Sequence, residues 1–166
     1  ILCVHGGLGP NTTSISNISH ISRPLIEFGA DDVADDILWS DPSNEIDTYE
    51  LNKRGAGYYY GKSVVDKFCS DNDIDLIIRG HECVMNGYES FFDDKVITVF
   101  SASNSVGTFG NQAAVIEIKS NPPASGILPT NNQPSTEPGD KKNYIKIIKQ
   151  YPPLPYLTRN EVFFTS

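Results

Sequence analysis

The sequence predicts an α/β fold, on three observations. Two β-prone apolar runs, Ile1-Leu2-Cys3-Val4 and Ile74 to Ile78, each deliver a histidine beside glycine, in His5-Gly6-Gly7 and in Arg79-Gly80-His81. Between them Val64, Val65 and Phe68 recur on one side of a helical stretch, with Asp66 and Lys67 on the other. The resulting order of strand, loop, helix, strand, loop, strand leaves the chemistry-capable residues in loops after strands, where α/β enzymes tend to place their sites. A chain of 166 residues has the length of one domain with a real core, and 39% apolar with 10% aromatic residues argue against a wholly disordered chain.

Taken in order, the strand at Ile1 begins with no cap, no initiator Met and no lead-in, and so reads as the start of a C-terminal piece of a larger polypeptide. Asn11 to Ser14 offer caps for a helix with Ile15, Ile18, Ile21 and Leu25 on one face, limited by Pro24. Ile37 to Pro42 is a short apolar segment closed by a proline turn. Gly61 leads into the Val64 helix, which Asp71-Asn72-Asp73 ends, and the Ile74 strand follows. Tyr88 to Phe92 and Val96 to Phe100, separated by Asp93-Asp94-Lys95, read as a β-hairpin. Ser101 to Gly110 is a loop of small residues, and Ala113 to Ile118 is a further strand. The composition then changes: residues 120–140 are almost wholly Pro, Ser, Asn, Thr and Gly, an exposed linker or long surface loop. Tyr144 to Lys149 reads as an edge strand, followed by Pro152-Pro153-Leu154-Pro155, which lies extended on the surface or docks a partner. The organisation expected is a catalytic-type unit over 1–119, the linker over 120–140, and a terminal strand with a proline-rich tail over 141–166.

Charge narrows the function. Thirteen basic residues against twenty-one acidic give a net of −8, a poor basis for binding nucleic acid or an anionic membrane surface. The excess acid lies in residues 1–75, much of it in Asp31-Asp32, Asp35-Asp36 and Asp41. These aspartates read as solvated loops and helix ends; the sharper alternative is an acidic surface that selects a basic segment of a protein substrate. No apolar run has the ~18 residues that would cross a bilayer, and no signal peptide is present. Cys3, Cys69 and Cys83 form no zinc spacing; Cys3 and Cys69 read as small buried hydrophobes in a reduced compartment, with cytoplasm or nucleus as the expected location.

His5 and His81 share a setting, each at the end of an apolar strand and beside glycine, and this placement suits metal ligands at a sheet rim as well as it suits ordinary loop histidines. His20 is a surface residue. Arg54, opening Arg54-Gly55-Ala56-Gly57, offers a fixed fork of donors that matches phosphate oxygens; on spacing alone it reads as a structural arginine paired with an aspartate. No nucleophile elbow, HExxH or P-loop is present. The residues alone therefore lead to an α/β fragment with a candidate metal site.

The motifs in sequence resemble the second half of the phosphoprotein phosphatase family of serine/threonine protein phosphatases. They are His5-Gly6-Gly7-Leu8-Gly9-Pro10, Leu38-Trp39-Ser40-Asp41-Pro42, Arg54-Gly55-Ala56-Gly57-Tyr58 with Gly61, Arg79-Gly80-His81-Glu82, and Thr98 to Asn104, spanning roughly residues 1–118. The resemblance implies a metallophosphatase β-sandwich flanked by helices, of which this chain is the C-terminal half. It implies two divalent metal ions (manganese, or iron and zinc) bridged by a hydroxide that attacks phosphorus directly. It places His5 and His81 on one metal and gives Arg54 the substrate phosphate. The remaining ligands belong to motifs that precede the HGG segment in the family, so the N-terminal half of the catalytic domain is an expected partner and this chain alone is expected to be inactive. Phosphoprotein substrates and regulatory subunits are likewise implied. A small phosphoester or dinucleoside polyphosphate as substrate is the alternative enzymatic reading, and a non-catalytic phosphatase-like binding module is the other.

The sequence also departs from the family pattern. Gly9 replaces the usual serine of HGGLSP. Ser105 and Val106 stand where the family has Tyr-Cys, which implies a more open site with altered sensitivity to inhibitors that pack on that ring. Arg79 to Met85 with the proline-rich tail is similar to the kelch-repeat branch, whereas Gly110 to Ala114 is similar to the phosphatase 2A branch, and the subfamily stays unassigned.

Overall fold

The computed structural model describes residues 1–27, 29–120 and 144–155. A four-stranded sheet is built from β1 (Leu2–Cys3), β5 (Ile77–Arg79), β6 (Tyr88–Phe91) and β7 (Val96–Val99), in the order β1-β5-β7-β6. β1 and β7 both run parallel to β5, and β6 closes the edge antiparallel to β7. The hairpin turn takes left-handed backbone at Phe92, Asp93 and Asp94, a conformation that aspartate tolerates better than most residues.

A second sheet combines β2 (Asp41–Pro42), β3 (Tyr49–Leu51) and β4 (Tyr58–Tyr60) in the order β2-β4-β3. A third pairs β8 (Ala113–Ser120) antiparallel with β9 (Tyr144–Tyr151) along its full length. Among the described residues β9 pairs only with β8, as an edge strand. Three helices complete the elements: α1 (Ile15–Ser19), α2 (Asp32–Trp39) and α3 (Lys62–Asn72). The core gathers Leu8, Tyr60, Val65, Phe68, Cys69, Ile77, Phe92 and Val96 between α3 and the first two sheets. No helix among the described residues is long and apolar enough to cross a membrane. Nearly all of the expected 120–140 linker lies outside the described residues, and Ser120 is the last residue of β8.

Four local expectations need correction. The segment before Pro42 is mostly helix: α2 ends at Trp39 and only Asp41-Pro42 is strand. Asp31 starts that helix as its N-cap, accepting hydrogen bonds from the backbone N–H groups of Val33 and Ala34, and Asp32 and Asp35 lie in the first turn, where the helix dipole favours acid. α1 stops at Ser19, short of Ile21 and Leu25. Asp36 is buried rather than solvated: one carboxylate oxygen accepts from the backbone N–H groups of Asn11 and Thr12 and from the Thr12 hydroxyl. Cys3 is exposed, because strand alternation turns Leu2 and Val4 onto the core and Cys3 away from it. Cys69 is buried and His20 exposed, as expected.

Candidate functional site

Parallel pairing explains how two residues 76 positions apart meet. In register, Leu2 faces Ile77 and Cys3 faces Ile78, so both strands reach the same rim together. The ladder continues past the strands, with Val4 N–H donating to Ile78 O and Gly80 N–H to His5 O at 3.0 Å. The imidazoles that follow are 5.0 Å apart between centroids, and His81 Nδ1 lies 3.2 Å from His5 Nε2. His81 has φ +65, an uncommon conformation for a residue with a Cβ, of the kind that clusters at functional sites.

The loop after β1 lies against the end of α2. Gly6 N–H donates to Ile37 O at 2.7 Å, and a Cβ on Gly6 would come within 2.6 Å of the Leu38 carbonyl carbon. From the other side Gly57, at φ +67, approaches Trp39 so closely that a Cβ there would also fall at 2.6 Å. These two close approaches bring the first histidine loop, the end of α2 and the Arg54 loop to one place. Trp39 packs edge-on against His81 at 5.5 Å.

Beneath the imidazoles lies a charge network. Arg79 is fully buried: Nε donates to Gly6 O at 2.6 Å, one terminal nitrogen to Glu82 at 2.7 Å, and the other to Asp41 Oδ1 at 2.6 Å. Asp41 Oδ2 accepts from Arg54 Nε and from Asn52 Nδ2, each at 2.8 Å. Glu82 Oε1 is also 3.7 Å from a terminal nitrogen of Arg54. The Arg54 side chain is 43% exposed, so its terminal nitrogens reach solvent while Nε is held.

These environments set the charge states. Burial pushes the Asp41 carboxyl up, but hydrogen bonds from Arg54 and Asn52 with the Arg79 charge outweigh it, and the group lies below the usual carboxylate range. Glu82 is raised by burial and by the Asp41 charge, against the pull of Arg79. Burial lowers His81, assisted by the charges of Arg54 and Arg79 and opposed by Asp41, which favours the neutral imidazole that can ligate.

The structure therefore brings His5 and His81 together and joins Arg54 to them through Asp41, which lies 3.8 Å from His81 Nε2. The aspartate pairing expected of a structural arginine is present at Arg54, at Nε. Sequence reasoning read Asp41 as a solvated residue, whereas it is buried and paired with Arg79 and Arg54, and assigned no role to Asn52 or Glu82. The available signal was an aspartate inside the otherwise apolar Leu38 to Pro42 segment, a burial that requires a partner. Asp32, Asp35 and the buried Asp36 line a cleft of about 320 Å³ with Asn52, Gly55 and Gly57.

Among the described residues no group of three or more His, Cys, Asp and Glu side chains is arranged to hold a metal ion. The two imidazoles nevertheless fit part of such a site. Nitrogens about 2.0–2.1 Å from a shared cation lie roughly 3 Å apart at neighbouring corners of its shell, and the facing nitrogens of His5 and His81 have that separation. Neutral imidazole also suits manganese, iron and zinc. The loop at Ser105 and Val106 is held by Asn111, which accepts from Ser105 N–H and donates to Ala102 O; Val106 stands exposed at φ +50.

Calcineurin-like phosphoesterases match over residues 1–85. The chain is 46% identical over 121 residues to the serine/threonine-protein phosphatase 4 catalytic subunit of Candida glabrata, a match covering 73% of this chain and 38% of that protein. The corresponding protein of Saccharomyces cerevisiae is 45% identical over 118 residues (71% and 38%), and a protein phosphatase 2A catalytic subunit of Dictyostelium discoideum is 42% identical over 118 residues (71% and 38%). The chain thus spans 38% of the length of these relatives. Among solved structures, a Saccharomyces cerevisiae serine/threonine phosphatase with similarity to human phosphatase PP5 superposes with a TM-score of 0.67 at 27% identity, covering 93% of this chain and 45% of that one. Both sequence and fold place the protein among the serine/threonine phosphatase-like folds, and the chain belongs to the calcineurin-like phosphoesterase family.

Proposed function

We propose that the protein carrying this chain hydrolyses phosphoserine and phosphothreonine in proteins, and that this chain contributes His5 and His81 as ligands of one divalent cation and Arg54 as the phosphate-binding residue. The observation that carries the reading is the facing pair His81 Nδ1 and His5 Nε2, with the half-exposed Arg54 tied to the same cluster. The similarity to phosphatase 4 and 2A catalytic subunits supports a phosphoprotein substrate.

Divalent cations, when bound, supply charge neutralisation on phosphate and an activated water. His5 and His81 hold their ring nitrogens toward that position, and the remaining ligands come from outside this chain. Arg54, with Nε fixed on Asp41, keeps its terminal N–H groups for the non-bridging oxygens, whose charge in the transition state a guanidinium offsets. By itself the 166-residue chain is expected to turn over no phosphopeptide. Regulatory subunits and a cytoplasmic or nuclear location belong to the same proposal.

The test compares substrates. Full-length protein supplied with manganese should hydrolyse a phosphothreonine peptide faster than a dinucleoside polyphosphate or a small aryl phosphate at equal concentration. Faster turnover of the dinucleotide would assign the site to small phosphoesters, and metal binding with no turnover of any of them would make the protein a binding module.

A further inference from the structure

Asp41 stands at the centre of the charge network, and its two oxygens serve different groups. Oδ2 accepts from Arg54 Nε and Asn52 Nδ2, and Asn52 Oδ1 accepts in turn from the Arg54 backbone N–H at 3.0 Å. Main chain and side chain of Arg54 are thus held by the same two residues. A guanidinium pinned at Nε has one plane and one direction for its terminal nitrogens, which a freely rotating side chain lacks. Oδ1 accepts from Arg79 at 2.6 Å and also faces His81 Nε2 at 3.8 Å, beyond hydrogen-bond length but the nearest acidic oxygen paired with that ring. His81 Nε2 is buried and has no hydrogen-bond partner, while the opposite nitrogen, Nδ1, faces His5.

A purely structural role as counter-ion to Arg79 explains less. Arg79 already has Glu82 at 2.7 Å as a second carboxylate, and it engages only one oxygen of Asp41. The other oxygen is spent wholly on Arg54 and Asn52.

We infer that Asp41 is a positioning residue: together with Asn52, its Oδ2 aims the Arg54 guanidinium at the substrate phosphate. The inference rests on the phosphatase reading of Arg54, His5 and His81.

The experiment is a double-mutant cycle in the full-length protein at saturating Mn²⁺, with inorganic phosphate as competitive inhibitor. Asp41→Asn should weaken phosphate roughly tenfold or more. In an Arg54→Ala background the same change should leave phosphate affinity where Arg54→Ala alone put it. Unchanged phosphate affinity in Asp41→Asn, or an equal loss in both backgrounds, overturns the inference. Wild-type phosphate affinity in Arg54→Ala overturns the underlying reading instead. If Asp41→Asn does not fold, ¹⁵N spectra of the unsubstituted protein decide: the Arg54 Nε–H should be protected from exchange. A freely exchanging Nε–H contradicts the assignment.

Discussion

Replacing Arg79 with alanine is expected to cost about 3–5 kcal/mol, the range for breaking a buried ion pair by removing one partner. Arg79 is completely buried, and its donors reach four separate parts of the fold: Gly6 in the first histidine loop, Ser40 at the end of α2, Asp41 in β2 and Thr98 in β7. Its loss would leave Asp41, 2% exposed, beside Glu82 with only Arg54 between them. Lysine would not restore the site, since one ammonium cannot span five acceptors held at fixed angles. Against total stabilities of about 5–15 kcal/mol, this loss removes a large part of the margin, and at the lower end all of it. Thermal unfolding of the Arg79→Ala and Arg79→Lys proteins checks this; a melting temperature within a few degrees of wild type in either would show that the network contributes little to the fold.

Arg54→Ala should act on the chemistry. Its side chain is partly exposed and its hydrogen bond to Asp41 has Arg79 and Asn52 beside it, so folding is expected to survive. The terminal N–H groups would no longer meet phosphate oxygens in the transition state. Removing one such donor group costs about 3 kcal/mol, roughly a hundredfold in kcat/KM. Arg54→Lys should fall between, because the charge remains and the two-pronged geometry does not. Steady-state kinetics of the full-length variants on a phosphothreonine peptide give the answer. Wild-type kcat/KM in Arg54→Ala would remove the residue from phosphate binding and leave it as an ion-pair partner of Asp41.

What the sequence revealed and what it concealed follows from how local each determinant is. The strand ends carrying His5 and His81 were legible because each is announced by a continuous apolar run and a glycine. The hairpin of β6 and β7 was legible from its polar turn between two apolar runs. α2 was hidden because its acidic first turn, Asp32 and Asp35, resembles a solvated loop until Asp31 is recognised as a cap. β3 and β4 are three residues each, with Tyr58-Tyr59-Tyr60 showing no alternation, and pairing with each other and with β2 makes them strands. The charge network was the least legible feature. Asp41 meets Arg54 across 13 positions and Arg79 across 38, distances over which no periodicity reports. The motif containing Asp41 could be recognised, but the carboxylate's role required the fold.

The most direct measurement is the metal content of the full-length protein with His5 or His81 replaced by alanine, determined by elemental analysis after removal of loosely bound ions. Two imidazoles serving one cation predict that either substitution alone removes the same ion, so that both variants lose equal metal and the double variant loses no more. Full occupancy in both single variants, with the protein folded, would contradict a shared cation between these rings.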